Sequence, residues 1–158
     1  MTVITVTAPA GRISLDQRKV LAASLTDAVL VPEVGQPFAP ARVGFQVHFR
    51  DLGTDAMAIG GQLLSEIQPP PDVMVIDVAV MDAAWDRSVR TRVIVGLLEA
   101  MARGLGLPAA SPTWWVTFRT IDEGSWGSRG GALSILDLLA SGAFTDARAA
   151  EIRAWAAR

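Results

Sequence analysis

Three arginines lie where the surrounding residues predict turns or a strand, and such positions can hold a carboxylate. Arg12 follows a glycine after an apolar amino-terminal run, Arg87 precedes a predicted helix, and Arg119 lies in a β-prone run. The planar guanidinium matches a carboxylate, or the enolate that develops from one. We identify Arg87 as the main candidate for binding an acidic substrate, with Arg12 and Arg119 as helpers. The structural alternatives are a solvated charge for Arg87 and Arg12, and an ion pair for Arg119.

Two tryptophans are candidates for the wall of the same site. Trp115 shares a strand face with Arg119, and Trp126 lies between Ser125 and Gly127. Because strand residues alternate, Trp114 and Trp115 point to opposite faces, and at least one of them belongs to the core. Packing at a subunit interface is the alternative for Trp126.

Other catalytic chemistries are excluded by composition. The chain has no cysteine and one histidine, so thiolate catalysis, disulfides and the usual metal sites are excluded, and no metal is predicted. His48 alternates with apolar residues in a strand pattern, which favours an ordinary hydrogen-bonded or solvent-facing role, and no catalytic triad is indicated. The pair Gly130-Gly131 lacks the spacing of a dinucleotide or phosphate loop and is interpreted as a turn, so no cofactor is predicted.

The charge balance limits the partners. A net charge of −2 without a cluster of basic residues argues against nucleic acid, and no apolar run is long enough to span a membrane. With 51% apolar and 19% charged residues, we expect a subunit interface in addition to a core, and therefore a homo-oligomer. A cytoplasmic location is the expectation.

The elements that would position these residues occur twice. A β-prone run from Val3, a capping box at Ser14 to Gln17, and a helix expected to stop near Pro32 lead to an alternating strand over 43–49. A second strand over 73–80, a helix opening at 86–88 and ending at the glycines 104 and 106, and a strand over 114–121 repeat that order. Each copy closes on a Gly-Gly pair, at 60–61 and at 130–131, so the pairs stand 70 residues apart.

This order predicts a duplicated β-α-β fold. We expect an α/β protein with a four-stranded sheet, two helices on one face, and a carboxy-terminal helical tail. The predicted division is a single domain over 1–158, with a first unit over 2–61, a second over 72–131 and the tail over 132–158. Thr145 is the expected cap of a last helix that reaches Trp155, and the tail is expected to pack on a neighbouring subunit or on the outer rim.

The chain resembles the tautomerase superfamily in its fused form with two β-α-β units, nearest the branch of the cis-3-chloroacrylic acid dehalogenases. The resemblance covers roughly residues 2–131. It depends on the turns Gly11-Arg12 and Arg87-Ser88, and on Ser125-Trp126-Gly127 ahead of the second Gly-Gly pair. It implies a homotrimer in which an amino-terminal proline at the bottom of an apolar pocket acts as general base or acid, while arginines bind the substrate carboxylate.

The sequence departs from that family at the catalytic position, because Thr2 stands where the family has proline. If Met1 is removed, the Thr2 amine would occupy the site, where it could abstract a proton or form an imine. If Met1 stays, we expect its side chain and its displaced amine to obstruct the pocket.

Further departures argue against dehalogenation by hydration. Val29 stands where that branch has histidine, Thr117 where it has tyrosine, and Ala84 where it has the first arginine of an Arg-x-x-Arg pair whose second member matches Arg87. We therefore expect an isomerase if the protein is an enzyme. The hypothesis is a weak keto-enol tautomerase of a small 2-keto or enol carboxylate, with Thr2 as the catalytic residue. The alternative is a catalytically inactive member that serves as a binding or structural oligomer.

Overall fold

The computed structural model describes residues 1–128 and 130–157. Its central element is a sheet of four strands, which are β1 (Thr2–Pro9), β2 (Phe45–Leu52), β5 (Met74–Met81) and β6 (Trp114–Ile121). Their order in the sheet is β2-β1-β5-β6. Two short hairpins complete the strands: β3 (Ala58–Ile59) with β4 (Gln62–Leu63), and β7 (Trp126–Ser128) with β8 (Gly131–Leu133).

Each half of the sheet is one β-α-β unit. Strand β1 pairs with β2 in parallel, and β5 pairs with β6 in parallel. The units meet along the antiparallel pair β1 and β5, with Thr2 opposite Val80. The first residues of β1 and the last residues of β5 therefore lie at the same end of the sheet, and the candidate site lies at this end. The predicted duplicated fold is confirmed.

Two long helices cover one face of the sheet. They are α1 (Leu15–Val34) and α2 (Arg87–Gly104). The inward residues of β1 and β5 and the apolar stripes of both helices form one core, which includes Ile4, Leu25, Ile76 and Leu97. The predicted capping box at Ser14 is present, and Asp86 caps α2 through the backbone N–H of Val89.

Helix α1 continues beyond the point where the sequence predicted its end. Pro32 lies inside the helix, which runs on to Val34 and stops at Gly35 in the left-handed conformation, with φ of 86°. Proline costs one intrahelical hydrogen bond. The last turn is held nonetheless, because the Gly35 N–H reaches Val31 O at 2.9 Å. This extra turn carries Glu33 toward the amino end of β1.

The tail forms two helices, α3 (Ile135–Leu139) and α4 (Asp146–Ala156), with Thr145 as the predicted cap of α4. It lies against the same chain at the end of α1. The Thr145 N–H donates to Val34 O at 2.9 Å, and the Gln36 side chain donates to Ala143 O at 2.9 Å. The division of the chain into a domain, two units and a tail stays a prediction.

Candidate functional site at the amino end

The amino group of the chain lies beside a buried carboxylate. Met1 N is 3.5 Å from Glu33 Oε1. Met1 is itself held at this end of the sheet, because its carbonyl accepts the backbone N–H of Met81 at 3.0 Å. Glu33 is only 2% exposed. A carboxylate buried to this degree normally has a charged partner, and here the ammonium group provides it.

Thr2 completes this cluster. Its side chain is buried on the helix side of β1, and Thr2 Oγ1 donates to Glu33 Oε2 at 3.5 Å. Glu33 was not among the residues that sequence analysis selected. The signal that could have found it is its spacing, because Leu25, Val29 and Glu33 follow one another at four-residue intervals on the buried stripe of α1.

An apolar cavity of about 260 Å³ opens beside the amino group. Its lining includes Met1, Glu33, Phe38, Val43, Gly44, Phe45, Leu138, Ser141, Ala143 and Phe144. Met1 therefore forms part of the wall of this cavity, and the expectation that a retained methionine obstructs the substrate pocket stays a prediction. Among the described residues, the lining contains no arginine, lysine or histidine.

The tail supplies one wall of this cavity and is fixed by a buried arginine. Arg148 of α4 is 5% exposed, and its guanidinium donates to the backbone oxygens of Glu33, Ala83 and Ala84 and to the carboxylate of Glu151. The Glu33 carbonyl at the end of α1 lacks an intrahelical partner, so one planar cation satisfies it together with the carbonyl of Ala83 in the turn. Arg148 thus joins the end of α1 to the turn after β5.

Arg87 lies at the same end of the sheet as the amino group, because it follows β5 and starts α2. It is the first residue of α2 and is exposed, and it does not line the apolar cavity. Arg90, one turn further on, contacts a second cavity of about 390 Å³, where its Nε donates to Trp85 O at 2.7 Å. Burial raises the pKa of Asp82, which lines that second cavity as well.

Arg12 lies at the opposite end of β1 from Thr2. Its guanidinium forms a bidentate ion pair with Asp72, with Nε to Oδ1 at 2.7 Å and Nη2 to Oδ2 at 2.8 Å. The hydrogen bond to Asp72 raises the pKa of Arg12. Within one chain, Arg12 therefore joins the turn after β1 to the segment before β5, far along the strand from the amino group.

Arg119 and Trp115 lie on the face of the sheet that the helices leave open. Trp115 is 63% exposed, whereas Trp114 is buried, as the strand alternation predicts. Thr117 on the same face donates to Asp77 of the adjacent strand. Trp126 in β7 is half-buried and packs against the core. In one chain, none of these three predicted binding residues lines the cavity at the amino end.

Two classes of feature are absent from residues 1–128 and 130–157. No group of three or more histidine, aspartate or glutamate side chains is arranged to hold a metal ion. Within the same residues, every helix is too short or too polar to cross a bilayer.

Comparison with solved structures identifies the architecture. No family model matches the chain. A native fused 4-OT is 25% identical, with a TM-score of 0.66 over 82% of this chain and 94% of its own. The chain has the fused, two-unit fold of the tautomerase superfamily. The resemblance drawn from the sequence is thereby confirmed.

Two further structures share this tautomerase fold. The protein N1, a member of the cis-3-chloroacrylic acid dehalogenase family, is 20% identical, with a TM-score of 0.69 over 96% of this chain and 98% of its own. The Q0 fused 4-OT, solved as a symmetric trimer, is 19% identical, with a TM-score of 0.65 over 89% of this chain and 98% of its own. At these identities the two comparisons show a shared fold.

Proposed function

We propose that the protein is a keto-enol tautomerase that moves the proton with its terminal amine. The observation that supports this proposal is the amino group 3.5 Å from the buried Glu33 carboxylate, at the wall of an apolar cavity. Proton transfer next to a carbonyl needs one group that gives a proton and one that accepts it within hydrogen-bond reach of the substrate. The amine and Glu33 form such a pair.

The reaction is an isomerisation and needs no co-reactant. In the ketonising direction, the ammonium gives a proton to the enol carbon while the enol O–H proton passes to the carboxylate. The proton then returns from the carboxylate to the amine. The amine belongs to Met1 in the structure, and after removal of the methionine it would belong to Thr2, whose side chain contacts the same carboxylate.

The sequence resemblance predicts a small 2-keto or enol carboxylate as substrate, held by Arg87 with Arg12 or Arg119. In one chain these arginines lie outside the cavity. That part of the prediction therefore requires another copy of the chain to bring an arginine to the amino end. We propose a homo-oligomer, specifically a homotrimer, in which the open sheet face around Trp115 is covered. The Q0 fused 4-OT trimer supports this assembly, and light scattering should give about three times the 16.7 kDa chain mass.

The test is ketonisation of phenylenolpyruvate, with an intact-mass measurement to show which residue carries the amine. We expect Glu33→Gln to lower the rate by about 10²-fold or more, a typical contribution of an acid or base group. Glu99→Gln is the matched control, because Glu99 is an exposed α2 carboxylate paired with Arg103. Equal rates in the two variants would refute the proposal.

A covalent probe tests the amine itself. The structure of Pt0534 inactivated by 2-oxo-3-pentynoate shows that a protein of this fold reacts with that compound. A conjugated alkynyl ketone accepts a nucleophilic amine at its distal alkyne carbon, and the nitrogen gives up the proton that the adduct gains. We expect one equivalent to attach to the first residue, as peptide mass spectrometry would show. Labelling elsewhere would count against the amine.

A catalytically inactive binding or structural oligomer is the second candidate. The arginine-free lining of the cavity and the exposed Trp115 favour it. This candidate predicts that no enol is turned over by the parent, that Arg87→Ala changes nothing, and that Thr2→Pro creates activity that the parent lacks.

A further inference from the structure

The terminal amine is one of only two primary amines in the sequence. The other belongs to Lys19, the single lysine, whose ammonium is exposed and paired with Asp16 at 2.8 Å. The amine of Met1 lies instead at the apolar cavity, beside the buried Glu33. Removal of the methionine would again leave a primary amine, on Thr2, whereas an amino-terminal proline would supply a secondary one. The amino-end site therefore holds the same kind of amine with which lysine forms Schiff bases in enzymes.

Met1 is held through three of its groups, which gives the amine a defined position. Its carbonyl accepts the backbone N–H of Met81 at 3.0 Å, and its ammonium lies 3.5 Å from Glu33 Oε1. Its side chain lies over Gly44, because a Cβ added there would be 3.1 Å from Met1 Sδ. A nucleophile that is already fixed beside a cavity loses little freedom when it attacks a bound ligand. The surroundings of Met1 therefore favour bond formation at its nitrogen.

Glu33 is the group that can move the protons of imine formation. An ammonium must give up a proton before its nitrogen can attack a carbonyl carbon, and the hydroxyl of the resulting carbinolamine must gain one before it leaves. The buried carboxylate lies within reach of the amine and can take the first proton and return it to the departing hydroxyl. One C–N bond forms and the C–O bond breaks. The oxygen leaves as water with two protons of the ammonium, and a protonated imine remains.

We propose that the terminal amine forms a Schiff base with small aldehydes and ketones, and that this gives the site a second activity: hydrogen exchange at the carbon next to the carbonyl. The protonated imine draws electrons from that carbon, so Glu33 removes its proton and an enamine forms. Return of a proton and addition of water restore the carbonyl compound and the amine. An arginine from another copy, as proposed above, would hold a carboxylate where the substrate carries one. The activity goes beyond the proposed tautomerase, whose amine moves a proton without a covalent bond.

Reductive trapping with isobutyraldehyde and cyanoborohydride tests the covalent bond. Reduction converts the imine to a stable secondary amine, and peptide mass spectrometry shows which nitrogen carries the alkyl group. In the folded protein we expect the ratio of labelling at the first residue to labelling at Lys19 to exceed, by at least about tenfold, the ratio in the same protein unfolded in urea. Unfolding removes the site but keeps both amines, so the second ratio reports their intrinsic reactivity. An equal or lower ratio in the folded protein would overturn the proposal.

Two glutamates separate the role of Glu33 from a general effect of charge. We expect Glu33→Gln to slow the labelling of the first residue about 10²-fold, a typical contribution of an acid or base group. Glu99→Gln should leave it unchanged, because Glu99 is exposed and paired with Arg103. Labelling of Lys19 serves as the internal standard in each variant, and circular dichroism shows whether the fold is kept. A first residue that reacts at the parent rate in Glu33→Gln would overturn the role of this carboxylate.

Deuterium uptake tests the second activity and separates it from the proposed tautomerase. Isobutyraldehyde has one hydrogen on the carbon next to its carbonyl, and NMR in deuterated water follows its replacement. In a Lys19→Arg protein, reductive dimethylation with formaldehyde makes the terminal amine tertiary, so it still gives and takes a proton but forms no imine. We expect this treatment to abolish the exchange, and exchange that survives it would overturn the inference. A parent that ketonises phenylenolpyruvate without trapping or exchanging the aldehyde would refute this inference and keep the tautomerase, and the opposite result would do the reverse.

Discussion

Replacement of Arg148 by methionine should destabilise the protein severely. Methionine keeps most of the length and apolar volume of the side chain but removes every donor. In the structure the guanidinium reaches Glu33 O at 3.0 Å and also donates to Ala83 O and Ala84 O. The variant would therefore release the turn after β5 and the end of α1 from α4 together.

The magnitude follows from the groups left without partners. Ala84 O keeps the backbone N–H of Asp86, so the loss falls on Glu33 O and Ala83 O. An unsatisfied buried polar group costs about 1–3 kcal/mol. The guanidinium also lies 5.8 Å from the Trp85 ring centroid, a contact that contributes roughly 0.5–2 kcal/mol. Relief from burying the charge offsets part of this, which leaves about 3–5 kcal/mol.

The measurement is urea unfolding followed by circular dichroism, with a thermal scan alongside. For a chain of this length, 3–5 kcal/mol corresponds to a drop in Tm on the order of 10 °C. Arg153→Met is the control, because Arg153 is an exposed arginine on the same helix. A difference below about 1 kcal/mol between the two variants would refute the assignment of Arg148 as the fixing residue of the tail.

Four further substitutions test local geometry and one titrating carboxyl. Gly96→Ala should stabilise α2 by up to about 1 kcal/mol, because the new methyl group meets its neighbours at 3.6 Å or more. Gly104→Ala should instead destabilise the protein by about 1–3 kcal/mol, because its Cβ would lie 2.5 Å from Leu21 Cδ2. The midpoint of urea unfolding checks both. Ala84→Gly should raise the free energy of unfolding by roughly 0.5–1 kcal/mol, because Ala84 has a φ of 55°, a region that glycine adopts without strain. A slightly higher Tm would show it. The stability of Asp82→Asn relative to the parent should increase as pH rises from 3.8, the ordinary aspartate pKa, to the raised pKa of Asp82, since ionisation of the partly buried carboxyl costs folding free energy in that range. A relative gain that instead appears on acidification would contradict the assignment.

The fold could be predicted because its signals are local and repeated. Alternating residues defined the strands, the capping box at Ser14 and the glycines after α2 set helix ends, and the 70-residue repeat related the halves. The turn at Gly60-Gly61 closes one hairpin, and Gly130 directly precedes the second strand of the other, which begins at Gly131, so the shared ending reflects a shared supersecondary unit. The end of α1 was placed too early because one proline in a last turn costs less than the buried contacts of that turn contribute.

The site was less predictable because its parts are distant in sequence. Arg148 reaches the carbonyl of Glu33 across 115 residues, and nothing in the composition of α4 distinguishes a buried arginine from a solvated one. Glu33 resembled a surface charge near a helix end. The arginines chosen for carboxylate binding matched the family pattern in position, yet in one chain Arg12 is bound to Asp72 and Arg119 lies on the open face of the sheet.

The antiparallel pairing of β1 and β5 places the starts of two corresponding strands at opposite ends of the sheet, but only the start of β1 lies next to the amino terminus. Strand β1 starts at Thr2, next to the amino group of Met1, whereas at Met74 the backbone passes through, just after the ion pair of Arg12 and Asp72. The terminal amine of the first half therefore has no counterpart at the start of β5, where the backbone is continuous, and the two halves of the sheet differ in this respect. A circular permutant opened ahead of Met74 would place a free amine at the other end of the sheet and interchange the roles of the two halves.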